Sequence, residues 1–327
     1  MRALFLTEPE RYGVDIRPDP EPGPGQVLVR VRACGICGTD LHIVAGQFPR
    51  TPFPIIPGHE TAGVVAAIGP DVTNVLPGDH VGLDAALWCG VCVYCRGGAR
   101  HVCPQRGGVG GTIDGGFAEL VVAPVANCFQ VPSHVPFREA AVAEPLSCVL
   151  HGLSLLRPVF RPTVLVIGAG TMGLLSLQAA INIGAARVDL ANRNPKRRAM
   201  GTVFGANRLL AIDQISECYD IVIEATGYAP LVRVGLDALA PRGQLLLLGV
   251  SGPQDEVSVS PFSLYNDELT VVASMGALDT YQQAVDAIAS GAVQVAPLLG
   301  EAYSLDDFSD ALADVAAGQS GKVHIIP

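Results

Sequence analysis

The 327-residue chain is short of positive charge: 21 lysines and arginines stand against 31 aspartates and glutamates, a formal net charge of −10. A surface of that sign repels a phosphate backbone or an anionic bilayer, so neither nucleic acid nor a membrane surface is an expected partner. No apolar run reaches the roughly 18 residues of a membrane-spanning helix. Met1-Arg2-Ala3-Leu4 opens no signal peptide and reads directly into a strand. Internal repeats and low-complexity linkers are also missing. These absences leave a reducing cytoplasm as the expected compartment, where clustered cysteines favour metal over disulfide.

The length suits two domains, and the 49% apolar fraction with 37 glycines and 25 prolines suits an α/β protein rich in sheet and turns. Up to residue 146 the texture is β-branched strands broken by proline and glycine, at 26–33, 61–68 and 117–122. It then changes to buried strands at 163–167, 187–191, 219–224, 244–249 and 268–274, with helices at 171–183, 195–204, 231–239 and 280–289. Such alternation predicts a parallel, doubly wound sheet. The tail returns to mixed texture and ends in a strand at 322–326.

Four cysteines, Cys89, Cys92, Cys95 and Cys103, fall within fifteen residues as C-x2-C-x2-C-x7-C. Four thiolates at short loop spacings satisfy a tetrahedral zinc completely, with Zn–S bonds of about 2.3 Å and no open position. This site is therefore expected to be structural, two disulfides being the alternative. Cys34, Cys128, Cys148 and Cys218 have no ligand-spaced partners and are expected as buried small hydrophobes.

Gly168-Ala-Gly170-Thr171-Met172-Gly173 is G-x-G-x-x-G placed between a strand and a helix. The first glycine makes the turn, the second admits a pyrophosphate to the backbone, and the third lets helix and strand pack closely. Thr171 and Met172 in the turn, with Thr226 and Val250 just past two later strands, complete the expected dinucleotide contacts. At the end of the second strand, an acid would bond the ribose 2′-hydroxyl and repel a 2′-phosphate. Asn192 stands there instead, followed by Arg193 and by Lys196, Arg197 and Arg198. Asparagine removes the repulsion and Arg193 offers a phosphate fork, so NADP is expected over NAD. Lys196, Arg197 and Arg198 read equally well as a solvated helix face. Asp189 is the rival ribose acid, three residues earlier within the strand.

A second metal constellation surrounds Cys37, in Cys34-Gly-Ile-Cys37-Gly-Thr39-Asp40-Leu-His42, and His59-Glu60, with Glu144 as a further carboxylate. A cysteine, a histidine and one carboxylate leave a fourth zinc position open, the arrangement of catalytic zinc. Such a zinc can bind an alcohol oxygen and favour its ionised form, from which hydride can leave to a nicotinamide. Thr39 is suited to hydrogen-bond the alcohol and His42 to carry its proton towards solvent. Phe48 and Leu87 are candidates for an apolar substrate wall.

With these motifs, Gly78-Asp79, Gly115-Gly116-Phe117-Ala118-Glu119 and Glu144-Pro145-Leu146, the chain resembles the zinc-containing medium-chain alcohol dehydrogenases over essentially its whole length. Within them it is similar to the polyol (sorbitol/arabinitol-type) and threonine dehydrogenase branch. The resemblance implies an α/β chain with a GroES-like, mainly β catalytic domain at 1–146 and 279–327, carrying the zinc lobe at 88–104. It also implies a Rossmann domain at 147–278. Two zinc ions per chain follow, the catalytic one on Cys37, His59 and either Glu60 or Glu144, with the other carboxylate near it or reaching it through water. Thr39 and His42 would form the relay by way of the cofactor ribose. The expected reaction interconverts a secondary alcohol, polyol or sugar-like, with its ketone, in a homodimer or homotetramer. The rivals are an NAD-linked alcohol or amino-alcohol dehydrogenase, a zinc-free quinone or enone reductase, and a non-catalytic NADPH-binding protein with the structural zinc alone.

Overall fold

The computed structural model describes residues 1–48, 50–318 and 321–327. The chain divides into two compact units, one of Met1–Glu144, Tyr281–Gly291 and Leu298–Pro327, the other of Pro145–Thr280 and Ala292–Pro297. No helix among the described residues is long and apolar enough to cross a membrane.

In the first unit, β1 (Arg2–Glu8) and β2 (Arg11–Ile16) form an antiparallel hairpin. The unit is organised by β3 (Gln26–Gly35), which leads through a short loop into α1 (Gly38–Val44), and by its antiparallel partner β4 (Glu60–Ile68). β5 (His80–Leu83), β6 (Leu120–Pro124) and β7 (Cys128–Gln130) extend the sheet. Alternation drives this pairing: in β3, Val27, Val29 and Val31 face a core with Val65, Val81, Phe117 and Val121, while Arg30 and Arg32 face outward. The strand expected at 117–122 is shifted; Phe117 and Ala118 are buried ahead of β6, where Phe117 accepts a backbone bond from Leu4.

The second unit begins with most of α2 (Ala143–Ser154). Its six strands are β8 (Thr163–Ile167), β9 (Arg187–Ala191), β10 (Arg208–Leu210), β11 (Tyr219–Glu224), β12 (Leu239–Leu247) and β13 (Thr270–Ala273). They are all parallel, in the order β10-β9-β8-β11-β12-β13. The order reverses beside β8, which creates a switch point at its carboxyl end. α3 (Thr171–Asn182), α4 (Pro195–Val203), α5 (Ala229–Asp237) and α6 (Pro261–Asn266) lie between strands. α5 starts two residues before the expected 231 because Pro230 occupies its first turn, where a missing N–H costs nothing. It also ends sooner, since Leu239 already pairs with Tyr219 and β12 begins there rather than at 244.

The chain returns to the first unit at Tyr281–Gly291 and, after residues 292–297, again through β14 (Leu299–Tyr303), α7 (Phe308–Ala317) and β15 (Lys322–Ile325). The first-unit sheet runs β14-β15-β3-β4-β5-β7, with β6 also on β3. The C-terminal strand thereby lies beside Cys34 and Gly35 at the end of β3.

Candidate functional site

Cys37 is the N-cap of α1, and the cap is reciprocal. Its Sγ accepts from Thr39 N at 3.3 Å, while Asp40 Oδ2 accepts from Cys37 N at 2.9 Å. Capping thus presents the sulfur at the N-terminus of α1, beside the first backbone N–H groups of the helix. His59 arrives at the start of β4 with Nε2 3.0 Å from Cys37 Sγ, and its Nδ1 lies 3.3 Å from Asp40 Oδ1. A buried carboxylate behind one imidazole nitrogen orients the other towards a ligand. Burial disfavours the charged imidazole, but Cys37 and Asp40 together hold the His59 pKa well above its usual value. Sequence reasoning had passed over Asp40. The signal available was an acid three residues after a candidate ligand, the N3 position of a capping box.

Glu60 is 1% exposed and forms an ion pair with Lys322, whose Nζ also donates to Ile36 O at 3.0 Å. Burial would lower the Lys322 pKa, yet Glu60 and Cys37 hold it up. Lys322 was the second residue missed. It lies 262 residues from Glu60 in sequence, and the β15–β3 pairing closes that distance. Gly35 belongs to the same arrangement, because a Cβ there would sit 2.0 Å from Glu60 Oε2. Glu144 is half-buried, and its desolvation pushes its carboxyl up to about 7; His59 opposes that shift and Glu60 adds to it.

Ligand atoms of Cys37, Asp40 and His59 lie within 4.8 Å of one another, and so do those of His59, Glu60 and Glu144. Asp40 Oδ1, His59 Nδ1 and Glu60 Oε2 are buried without a hydrogen-bond partner in good geometry. A soft sulfur, an oriented imidazole and buried carboxylates on one small volume fit a divalent zinc. Thr39 follows on α1. His42, one turn on, has Nδ1 2.9 Å from Gln47 Oε1.

Cys89, Cys92, Cys95 and Cys103 converge with Sγ–Sγ distances of 3.5, 3.6, 3.8 and 4.0 Å for four of their pairs. A tetrahedron with Zn–S bonds of about 2.3 Å has edges of about 3.8 Å. Disulfide sulfurs would be about 2.05 Å apart, so the disulfide alternative does not fit. Backbone amides of Cys95 and Gln105 donate to Cys92 and Cys103 sulfurs, and Arg100 lies over the Trp88 ring at 4.5 Å. Of the cysteines left outside both sites, Cys34 and Cys128 are buried, whereas Cys148 is only partly buried and Cys218 is exposed. Cys218 sits in the turn before β11, where no core reaches it.

The glycine turn follows β8 at the switch point. Gly168 has φ +115°, and a Cβ there would meet Thr226 Cγ2 at 2.8 Å. A Cβ on Gly173 would fall 1.9 Å from Gly168 O, whereas Gly170 faces open space. Thr171 and Met172 begin α3. Thr226 and Gly227 donate to the buried Glu224 carboxylate, and Val250 is 86% exposed, with its backbone packed against Gly227. Asn192 and Arg193 follow β9, and Arg197 lies in the first turn of α4.

The sequence comparisons decide the lineage. Residues 23–133 match the model of the alcohol dehydrogenase GroES-like domain, and residues 140–319 that of the glucose dehydrogenase C-terminus. The chain belongs to the zinc-dependent medium-chain dehydrogenases. Relatives of this dehydrogenase include D-arabinitol dehydrogenase 1 of Uromyces fabae, 32% identical over 100% of this chain and 97% of that one. L-Threonine 3-dehydrogenase of Pyrococcus furiosus is also 32% identical, over 99% and 97%. A zinc-binding dehydrogenase from Sinorhizobium meliloti bound to NADP superposes with TM-score 0.96 at 33% identity, covering 100% and 99%. An Escherichia coli alcohol dehydrogenase complexed with NADH superposes with TM-score 0.93 at 25% identity, with the same coverage. The dehydrogenase is thus an alcohol oxidoreductase with the GroES-like and Rossmann folds of its family.

Proposed function

We propose that this dehydrogenase oxidises a secondary alcohol, polyol or sugar-like, to its ketone with NADP, using one catalytic and one structural zinc. The observation carrying the proposal is the approach of Cys37 Sγ to His59 Nε2 at 3.0 Å, with the buried Glu60 and half-buried Glu144 grouped around the same imidazole. Cys37, His59 and one carboxylate would hold the catalytic ion. Glu60 is engaged by Lys322, which favours Glu144 as the resident ligand and leaves Glu60 to balance charge. A zinc held there supplies Lewis acidity that favours loss of the alcohol proton. Thr39 offers its hydroxyl to the substrate oxygen, and His42, oriented by Gln47, receives the proton on its way to solvent. Asp40 fixes the His59 ring throughout.

The NADP preference rests on Asn192 and Arg193, and on the state of Asp189. That carboxylate is fully buried and bound by Arg208 at 2.7 Å and Tyr219 Oη at 2.8 Å, so it has no reach to a ribose. Bound cofactors in the solved neighbours include both NADP and NADH, and the strand end is the local reason for choosing between them. The threonine dehydrogenase relatives favour a second reading, an amino alcohol as substrate. We further propose a homo-oligomer working in the cytoplasm.

Two zinc per chain by metal analysis, and alcohol-dependent NADP reduction across a panel of polyols, secondary alcohols and amino alcohols, test the reading. Cys37→Ala is expected to lose one zinc and all turnover. Full turnover in that variant would overturn the metal mechanism, and one zinc in the unaltered protein with no turnover on any alcohol would support a binding protein instead.

A further inference from the structure

Of the arginines on or beside β9 and β10, three are already engaged through their side chains. Arg187 and Arg208 pair with Asp189 and Glu217. Arg198 Nη1 donates to Asn192 O at 3.1 Å. Arg193 differs: its guanidinium carbon lies 5.0 Å from the centroid of the Tyr228 ring. A ring contact uses none of a guanidinium's five N–H donors, so the fork stays available to an oxyanion while its position is restricted.

Tyr228 is itself well placed to restrict it. The turn carrying it follows β11, across β8 from β9 in the sheet order, so Arg193 and Tyr228 flank the Gly168 turn from opposite sides. The turn is braced from below. Glu224, fully buried, accepts from Thr226 N at 2.7 Å and Gly227 N at 3.1 Å and also from the Thr226 hydroxyl, and that hydroxyl oxygen accepts from Tyr228 N at 3.0 Å. Gly227 has φ +68° and packs so closely on Val250 that a Cβ would meet Val250 O at 2.2 Å. On the other side, Asn192 Nδ2 donates to Asn194 O at 3.2 Å, holding the amide inside its own turn.

We propose that Tyr228 is a positioning residue for cofactor selection, its ring holding Arg193 where it receives a ribose 2′-phosphate. The inference rests on the NADP reading above and deepens it. Discrimination then depends on two loops that the sheet brings together, and the tyrosine acts through the arginine without bonding the phosphate.

Dissociation constants for NADP and NAD, measured by calorimetry on the full-length zinc-loaded protein, test this in Tyr228→Ala, Tyr228→Phe and Arg193→Ala. Tyr228→Ala is expected to weaken NADP roughly two- to fivefold, the scale of an exposed cation–π contact, with NAD unchanged. Tyr228→Phe keeps the ring face and is expected to retain the selectivity. An unchanged NADP/NAD ratio in Tyr228→Ala overturns the proposal, and so does equal weakening of both cofactors, which would make the ring a general adenine platform. Loss of selectivity in Arg193→Ala with none in Tyr228→Ala removes the tyrosine's role and leaves the NADP reading standing. An unaltered protein that prefers NAD removes both. Tyr228→Leu replaces the alanine variant if that one fails to fold.

Discussion

Asp40 joins two tasks at one carboxylate, capping α1 through Cys37 N and backing the His59 ring. Its removal should therefore register in two measurements. Asp40→Ala is expected to weaken catalytic-zinc binding about 10- to 100-fold in chelator competition, the usual cost of losing a partner behind a ligand. Thermal denaturation should show in addition the ~1 kcal/mol typical of a lost helix cap. His324 sets a pH dependence of a different kind. It is fully buried in β15, and burial first, then the Lys322 and Arg138 cations, lower its pKa to about 3. Unfolded, it titrates near 6.5. Between those values the unfolded chain binds the extra proton, so stability falls as pH falls from about 6.5 towards 3, and above 6.5 the group contributes no slope. His324→Gln should flatten the acid side of a plot of urea midpoint against pH, and an unchanged slope would place the titration elsewhere.

At the scale of elements, motif geometry was largely legible in advance. β8, β9 and β11 lie at the expected residues because continuous apolar runs bounded by turn residues leave few alternatives. The glycine turn follows for the same reason: Gly173→Val should disrupt the β8–α3 junction, since even a Cβ falls 1.9 Å from Gly168 O, and lower both melting temperature and dinucleotide affinity. The cysteine lobe has little regular structure beyond single turns at Val93–Arg96 and Arg100–Val102, and among its residues 88–104 only Cys103 is buried. Cys103→Ser is thus expected to release one zinc and leave residues 88–104 open to proteolysis, with Cys37 and His59 still holding theirs. What sequence periodicity misjudged were ends, such as β12 starting at Leu239. There the deciding contact is a neighbouring strand rather than the local pattern.

For the whole molecule, the six-stranded sheet ends at β13, whose edge exposes Val271, with Phe262 and Tyr265 of α6 exposed in the same unit. An unpaired edge with apolar neighbours invites pairing with a second copy. Light scattering is expected to report an oligomer that Val271→Lys with Phe262→Ser weakens; a monomer in the unaltered protein would end that reading. The sequence alone was enough for the α/β class, the zinc-type spacing of four cysteines, the dinucleotide turn and the two clusters around Cys37 and His59. All of these are local patterns, in which chemistry and backbone turn are specified within a few residues. Only the tertiary structure decided what surrounds them. It brought Lys322 to Glu60, placed Asp40 behind His59, enclosed Asp189 among cations, and set Tyr228 against Arg193. Charge and stacking act over a few ångströms of space, and strand order determines which distant residues come that close.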